Sequence, residues 1–238
     1  MRRANRERLA SLTLIAILGS GLALAITRGR QLPDPAFDPS AYDYAARGGE
    51  AEHFERDFLF LDSPTPVVHS PSVAELSGGR LLAVWFGGAR EGAGDVAIYA
   101  ARWDGSGWSR PEMLVDRQAT ERELGVRLRK LGNPVVYRGP NGRTWLFHVA
   151  VSIGGWSTST IVFRVSDDDG TSWTPARRLV TSPFLNLSTL VRGRPLAYAD
   201  GSLALPVYHE LAGKFGELLR LDAAGRVRAK TRITIMGQ

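Results

Sequence analysis

The sequence carries one pattern three times, as SVAELSGGRLLAVWF (72–86), PVVYRGPNGRTWLFHV (134–149) and RPLAYADGSLALPVYH (194–209). In each copy, two runs of apolar and β-branched residues flank a short turn that contains glycine, which is typical of a β-hairpin. The turn glycines are spaced 63 and 59 residues apart, at Gly79, Gly142 and Gly201. A period near sixty residues indicates a repeat architecture.

Two further strands are predicted after each hairpin. The third strands read VAIYAARW, STIVFRVS and ELLRLDAA, and the fourth lie in GWSRPEMLV, SWTPARRLV and GRVRAKTRI. Four short strands per repeat, with no helical stretch between them, are typical of a propeller blade, whereas a β-sandwich would not explain the period. The sequence therefore predicts an all-β propeller with three blades, at about residues 66–118, 131–182 and 188–235.

One turn carries a specific motif. Residues 166–173 (SDDDGTSW) fit the pattern S-x-D-x-G-x-[ST]-W through Ser166, Asp168, Gly170, Ser172 and Trp173. The carboxylate can accept backbone N–H groups across the turn, the glycine allows a positive φ, and the tryptophan packs between strands. The motif resembles the Asp-box, or BNR repeat, of sialidases, where it marks the fold rather than the function. The matching turns of the first and third repeats are degenerate.

Other segments extend the resemblance in the same order along the chain. Residues 131–135 (LGNPV) are similar to the N-P-x-P stretch of the second sialidase blade, and residues 201–208 (GSLALPVY) to the third-blade strand G-R-L-V-V-P-A-Y. The chain resembles bacterial predicted neuraminidases of the BNR-repeat type over roughly residues 60–235. This resemblance implies a six-bladed ring, of which the chain supplies about three blades. It also implies an exo-glycosidase that removes terminal sialic acid, or a related sugar, from glycans with retention and without a cofactor.

The resemblance implies site residues in the first blade. Arg90 stands where sialidases place a substrate-binding arginine, and Asp95 lies in the loop that carries their acid/base aspartate. A mobile loop suits an acid whose pKa rises when substrate excludes water. A structural role stays open for Asp95, which could instead begin the third strand and cap its turn.

The sialidase pattern is broken where the first blade opens. The family's carboxylate clamp begins with an arginine, and this chain has His69 and Ser70 there. A neutral imidazole does not hold a carboxylate as an arginine fork does, so a uronic acid or a neutral sugar is an alternative ligand.

Polar residues near the third hairpin form a second group of candidate substrate-binding residues. Tyr208, His209 and Glu210 follow one another at the end of its second strand. Arg192 and Arg194 are predicted to point the same way from one strand, as substitute anion-binding groups. Solvated strand ends are the alternative interpretation for both sets.

No position matches the family's nucleophilic tyrosine, its glutamate partner or two further clamp arginines, which come from later blades in sialidases. We therefore expect an incomplete or inactive form of the enzyme, and three blades with uncovered sheet faces are expected to self-associate. The alternative function is a carbohydrate-binding or assembly propeller without catalysis.

The first 30 residues predict a membrane signal. Residues 1–8 are basic, and Leu9–Ile26 is an apolar run of 18 residues without a charge. Such a run predicts an uncleaved signal anchor, or a signal peptide cleaved after Ala25, with the rest of the chain exported to the periplasmic or extracellular side. Residues 31–57 predict a linker, and residues 58–238 the partial propeller.

Charge and composition exclude other classes of protein. The net charge of +6 is concentrated in residues 1–30, which carry +5, and the remaining residues carry +1, so no basic nucleic-acid-binding face is expected. Without cysteine, and with four scattered histidines, the chain is expected to hold neither a disulfide nor a metal ion. The mixed-charge run at residues 121–130 predicts an exposed loop.

Overall fold

The computed structural model describes residues 12–17, 19, 20, 36, 58–60, 62–182, 186–211 and 213–233. The first antiparallel sheet contains β1 (Val67–Glu75), β2 (Leu81–Gly88), β3 (Ala97–Trp103) and β4 (Glu112–Val115). The second contains β5 (Lys130–Arg138), β6 (Thr144–Val151), β7 (Thr160–Ser166) and β8 (Arg177–Arg178). The third contains β10 (Leu196–Ala197), β11 (Leu203–His209), β12 (Phe215–Leu221) and β13 (Val227–Arg232), and β9 (Leu190–Val191) also pairs with β11.

Each sheet is a meander in which consecutive strands pair, except that β9 pairs with β11 rather than with β10, so the predicted all-β class and the order of the strands are confirmed. The turns between the first two strands of each repeat hold Gly79, Gly142 and Gly201 at φ values of 72°, 82° and 78°. Only glycine adopts this left-handed conformation readily, which explains why glycine recurs in the sequence with the spacing of the repeats. The described residues form three sheets and no closed ring.

The sheets pack face to face through two apolar clusters. One joins the first sheet to the second through fully buried residues such as Leu82, Ile98 and Leu146. The other joins the second sheet to the third around Phe147 and Phe163. All eight residues of β6 are buried, because this strand is covered on both faces by neighbouring sheets.

Asp168 organises the Asp-box turn after β7. Its carboxylate accepts the Ser172 backbone N–H at 2.9 Å and the Ser172 hydroxyl at 2.6 Å. These bonds, with one from Ser166, hold the pKa of Asp168 at about 2. In the two degenerate turns Asp104 and Asp222 also accept backbone N–H groups, so the carboxylate persists where the rest of the motif is lost.

The prediction of an exposed loop at residues 121–130, and of no helix between the strands, is wrong for the first part of this run. A helix spans Arg117–Leu124; the Asp116 side chain caps its start by accepting the Ala119 N–H at 2.7 Å. The charged face of this helix contacts the second sheet, where Glu123 pairs with the nearly buried Arg164 at 2.6 Å. A sequence pattern shows the charges but not this partner.

A second prediction concerns the chain before the third hairpin and is also wrong. Arg192 and Arg194 do not share a strand, because β9 ends at Val191 and β10 begins at Leu196. Both arginines are exposed and lie in the intervening loop.

The predicted membrane signal and linker lie largely outside the described residues. Residues 12–17, 19 and 20 are helical. Within the part of the chain that the structure describes, no helix is long and apolar enough to cross a membrane. In the linker range, the Ala36 carbonyl accepts the Ala199 N–H at 2.9 Å.

Candidate functional site

A cleft of about 320 Å³ opens where β1 and β5 begin and where β2, β6 and β11 end. Its lining comes from all three sheets: His69, Ser70, Phe86, Glu91, Asn133, Trp156, Leu190, Arg192, Tyr208 and Glu210. An adjoining cleft of about 340 Å³ shares His69, Ser70, Asn133 and Arg192 with it. Polar groups from distant parts of the sequence therefore converge at one end of the repeats.

Three residues with left-handed backbone shape this end of the molecule. Ser70, Asn133 and Ser188 have φ values of 50°, 44° and 62°, and the first two lie where the β1–β2 and β5–β6 registers shift. Ser70 and Asn133 are small polar residues 63 residues apart, which is the spacing of the first two repeats, and such conformations in non-glycine residues are concentrated at functional sites. Ser70 and Asn133 each precede a proline, which disfavours right-handed helical backbone at these positions.

The side chains of these residues connect the three sheets by hydrogen bonds. The Ser70 hydroxyl donates to Asn133 Oδ1 at 3.3 Å, and Asn133 Nδ2 donates to the Tyr208 hydroxyl at 3.4 Å. Ser188 Oγ accepts the backbone N–H groups of Glu210 and Leu211 at 2.9 and 2.7 Å. The end of β11, which carries Tyr208 and Glu210 into the cleft, is thereby fixed.

Tyr208 is protonated at neutral pH. Burial raises the pKa of its phenol, the charge of Glu210 raises it further, and the bond from Asn133 and the charge of Arg192 oppose the increase. The charged groups that line the cleft are the carboxylates of Glu91 and Glu210 and the guanidinium of Arg192. The site can therefore bind a ligand that has hydroxyl groups and one anionic group.

The structure brings some of the candidate site residues together and leaves others apart. His69, Tyr208 and Glu210 line the cleft with Arg192. His209 does not, since its Nε2 lies 2.7 Å from Glu217 Oε2 and its ring stacks on Phe215.

Arg194, Arg90 and Asp95 also lie outside the cleft lining. The Arg194 guanidinium lies 5.6 Å from the Tyr137 ring. Arg90 is exposed. The Asp95 carboxylate accepts the Ala89 N–H at 2.9 Å, and this bond closes the loop between Ala89 and Asp95. The roles that the resemblance implies for Arg90 and Asp95 stay predictions.

Sequence reasoning missed Glu91, Asn133 as a site residue, and Trp156. Asn133 had a signal, since it precedes Pro134 in the segment that resembles a sialidase blade. Glu91 and Trp156 had none, because each lies in a loop whose position depends on contacts between sheets. Among the described residues, no group of three or more His, Cys, Asp or Glu side chains could hold a metal ion.

Comparison with known proteins places these features in context. A family model described as a BNR repeat-like domain matches residues 79–238. No curated protein matches the chain at a significant level. The solved structures similar to this chain include a Hadza microbial sialidase, with a TM-score of 0.56 and 17% identity over 68% of this chain and 37% of that one.

Two intramolecular trans-sialidases are also similar. The leech enzyme, in complex with 2,7-anhydro-Neu5Ac, gives a TM-score of 0.54 and 15% identity over 78% of this chain and 46% of its own. The enzyme from Ruminococcus gnavus, in complex with oseltamivir carboxylate, gives 0.54 and 13% identity over 71% and 60%. This chain therefore spans between 37% and 60% of the three structures that it matches.

Proposed function

This chain belongs to the BNR repeat-like domain family, and on that premise we propose that its cleft binds the terminal sugar of a glycan as part of a sialidase-type exo-glycosidase. The proposed setting is a six-bladed propeller of which the three sheets form part. The proposed reaction is hydrolysis of a terminal sialic acid or a related sugar with retention of configuration.

The observation that carries the proposal is the composition of the cleft. Arg192 offers a guanidinium to an anionic sugar substituent, which compensates for the histidine and serine that stand in place of the family's first clamp arginine. Glu91, Glu210 and the protonated Tyr208 offer hydrogen bonds to sugar hydroxyl groups. Arg192 therefore gives the cleft one specific contact for the anionic group of a sugar acid.

One observation favours the alternative, a glycan-binding propeller without catalysis. The proposed acid, Asp95, is engaged by the Ala89 N–H and lies outside the cleft lining. A hydrolase requires this loop to rearrange when substrate binds, whereas a binding module does not.

The first test of the proposal compares two arginines of the same loop. With a panel of sialic acid, uronic acid and neutral glycosides, we expect Arg192→Ala to weaken binding of sugar acids by about 30- to 100-fold, because a charge-assisted bond is lost. Arg194→Ala, the matched control outside the cleft lining, should change affinity by less than about threefold. Equal losses in the two variants, measured by calorimetry, would contradict the proposed anion site.

The same panel separates catalysis from binding. In a six-bladed propeller that includes these three sheets, we expect Asp95→Asn to reduce turnover by about 100-fold or more while the affinity for sugar is unchanged, because a general acid contributes to the transition state. Binding without turnover by that complete propeller would support the alternative function instead.

We also propose export of the sheets to the periplasmic or extracellular side, with residues 1–30 as an anchor or as a peptide removed after Ala25. The basic residues before the apolar run support this orientation. Self-association of the three-sheet unit stays a prediction that light scattering can test.

A further inference from the structure

Trp156 forms one wall of the cleft by packing on the backbone of β5. A Cβ placed on Gly132 would lie 2.7 Å from the Trp156 Cη2 atom, so a larger residue there would force the ring to move. The indole is half-buried and reaches the cleft from the loop after β6. An aromatic ring in such a wall presents an apolar face to the C–H groups of a sugar ring.

Lys130 contacts the ring of Trp156. Its Nζ lies 3.8 Å from the centroid of the Trp156 ring, which is a cation–π contact. A Cβ placed on Gly92 would lie 3.4 Å from the same Nζ, so the ammonium also adjoins the loop that carries Glu91. Glu91 lines the cleft and Lys130 does not. Lys130 therefore lies between two wall groups that come from different sheets.

The Lys130 ammonium is partly buried, and nearby charges affect its pKa. Burial lowers the pKa of the ammonium, the charge of Glu91 opposes this effect, and Arg129 adds to it. A partly buried cation needs compensating groups, and here these are the π-face of Trp156, which the ammonium contacts, and the charge of Glu91 on the adjoining loop.

We propose that Lys130 is a positioning residue, which holds the Trp156 indole and the Glu91 carboxylate as one preformed wall for the sugar ring. The inference rests on the proposed function for its sugar ligand. Lys130 does not touch the ligand itself and acts through Trp156 and Glu91. The wall needs no rearrangement on binding, and this lowers the entropic cost of fixing the ligand.

A double-mutant cycle tests the proposal with 3′-sialyllactose and the other glycosides of the panel as probes. We expect Lys130→Met to weaken binding by about tenfold, and Lys130→Arg to stay within about threefold because it keeps the cation. Since Lys130 acts partly through Trp156, the variant that combines Lys130→Met with Trp156→Ala should lose less affinity than the two single losses combined. Arg127→Met, which removes a nearby exposed cation, is the control and should bind like the unmodified chain.

Fully additive losses in this cycle, or unchanged binding by Lys130→Met, would overturn the proposal. If the unmodified chain binds none of the sugars, the proposed function fails, and the role of Lys130 is then tested by NMR without a ligand.

Trp156→Phe identifies the indole N–H resonance of Trp156 in an NMR spectrum. Glu91→Gln should shift that resonance in the unmodified background and not in the Lys130→Met background. A shift of equal size in both would show that Lys130 does not couple the two groups.

Discussion

Replacing Asp169 with asparagine is expected to lower the free energy of unfolding by about 2–4 kcal/mol, which corresponds to a fall in Tm of about 5–15 °C for a chain of this size. Asp169 lies in the Asp-box turn of the second sheet and is largely buried, with 14% of its side chain exposed. Its carboxylate accepts bonds from Ser77, from Arg80 at 2.8 Å and from Arg138 at 2.9 Å. Asparagine keeps one acceptor oxygen, so two arginines lose their counter-ion and the new amide NH2 group faces a donor that the carboxylate accepted.

The effect is large because the turn joins two sheets. Ser77 and Arg80 belong to the turn between β1 and β2, so the carboxylate ties the first sheet to the second. Arg102 of β3 adds a bond to the Asp169 carbonyl at 3.2 Å. Asparagine tolerates the φ of 55° found here, so Asp169→Asn removes the charge without straining the backbone.

A neighbouring aspartate provides the control for this prediction. Asp167 pairs with Arg143 at 2.8 Å, but its side chain is 71% exposed. Asp167→Asn is therefore expected to change the free energy of unfolding by less than about 1 kcal/mol. Chemical denaturation of both variants checks the contrast, and similar losses in the two would contradict a specific role for Asp169. Asp169→Ala should cost about 1–2 kcal/mol more than Asp169→Asn, because alanine is strained at positive φ.

The fold was predictable because its determinants are local. Each hairpin has a turn that only glycine fits readily, and each later turn keeps an aspartate that bonds to its own backbone, as Asp168 and Asp222 do. Each of these patterns spans only a few residues of the sequence, and each recurs in every repeat. The helix Arg117–Leu124 was not predicted because its charged residues are also typical of a solvated loop. The sequence does not show that Arg164 pairs with Glu123.

The cleft was only partly predictable, for a related reason. Tyr208 and Glu210 could be assigned to the end of a strand from the period of the repeat. The groups that they meet, Asn133 and Arg192, depend on how the sheets pack and on the left-handed backbone at Asn133. Trp156 illustrates the limit, because its position follows from the absence of a side chain at Gly132, 24 residues earlier in the chain.

Lowering the pH from 6.5 to 4.5 is expected to destabilise the chain by about 2–3 kcal/mol through His148 alone, at about 1.4 kcal/mol per pH unit. His148 lies in the middle of β6 with no exposed surface. Burial, and secondarily the charge of Arg164, lower the pKa of its imidazole to about 3. The folded chain therefore keeps His148 neutral, whereas the unfolded chain binds a proton below about pH 6.5. This contribution to stability is complete above pH 6.5 and is lost progressively as the pH falls toward 3.

The carboxylates act in a lower pH range. The pKa values of Asp168 and Asp222 are about 2 in the folded chain, so their contributions decrease only below about pH 4, where the unfolded chain takes up those protons. His148→Leu removes the titrating group and an Nε2 atom that has no hydrogen-bond partner among the described residues. It should keep the stability at pH 7 within about 1 kcal/mol and flatten the dependence between pH 6.5 and 4.5. Denaturation curves measured at each pH check these expectations, and a slope that persists in His148→Leu would assign the acid sensitivity to another group.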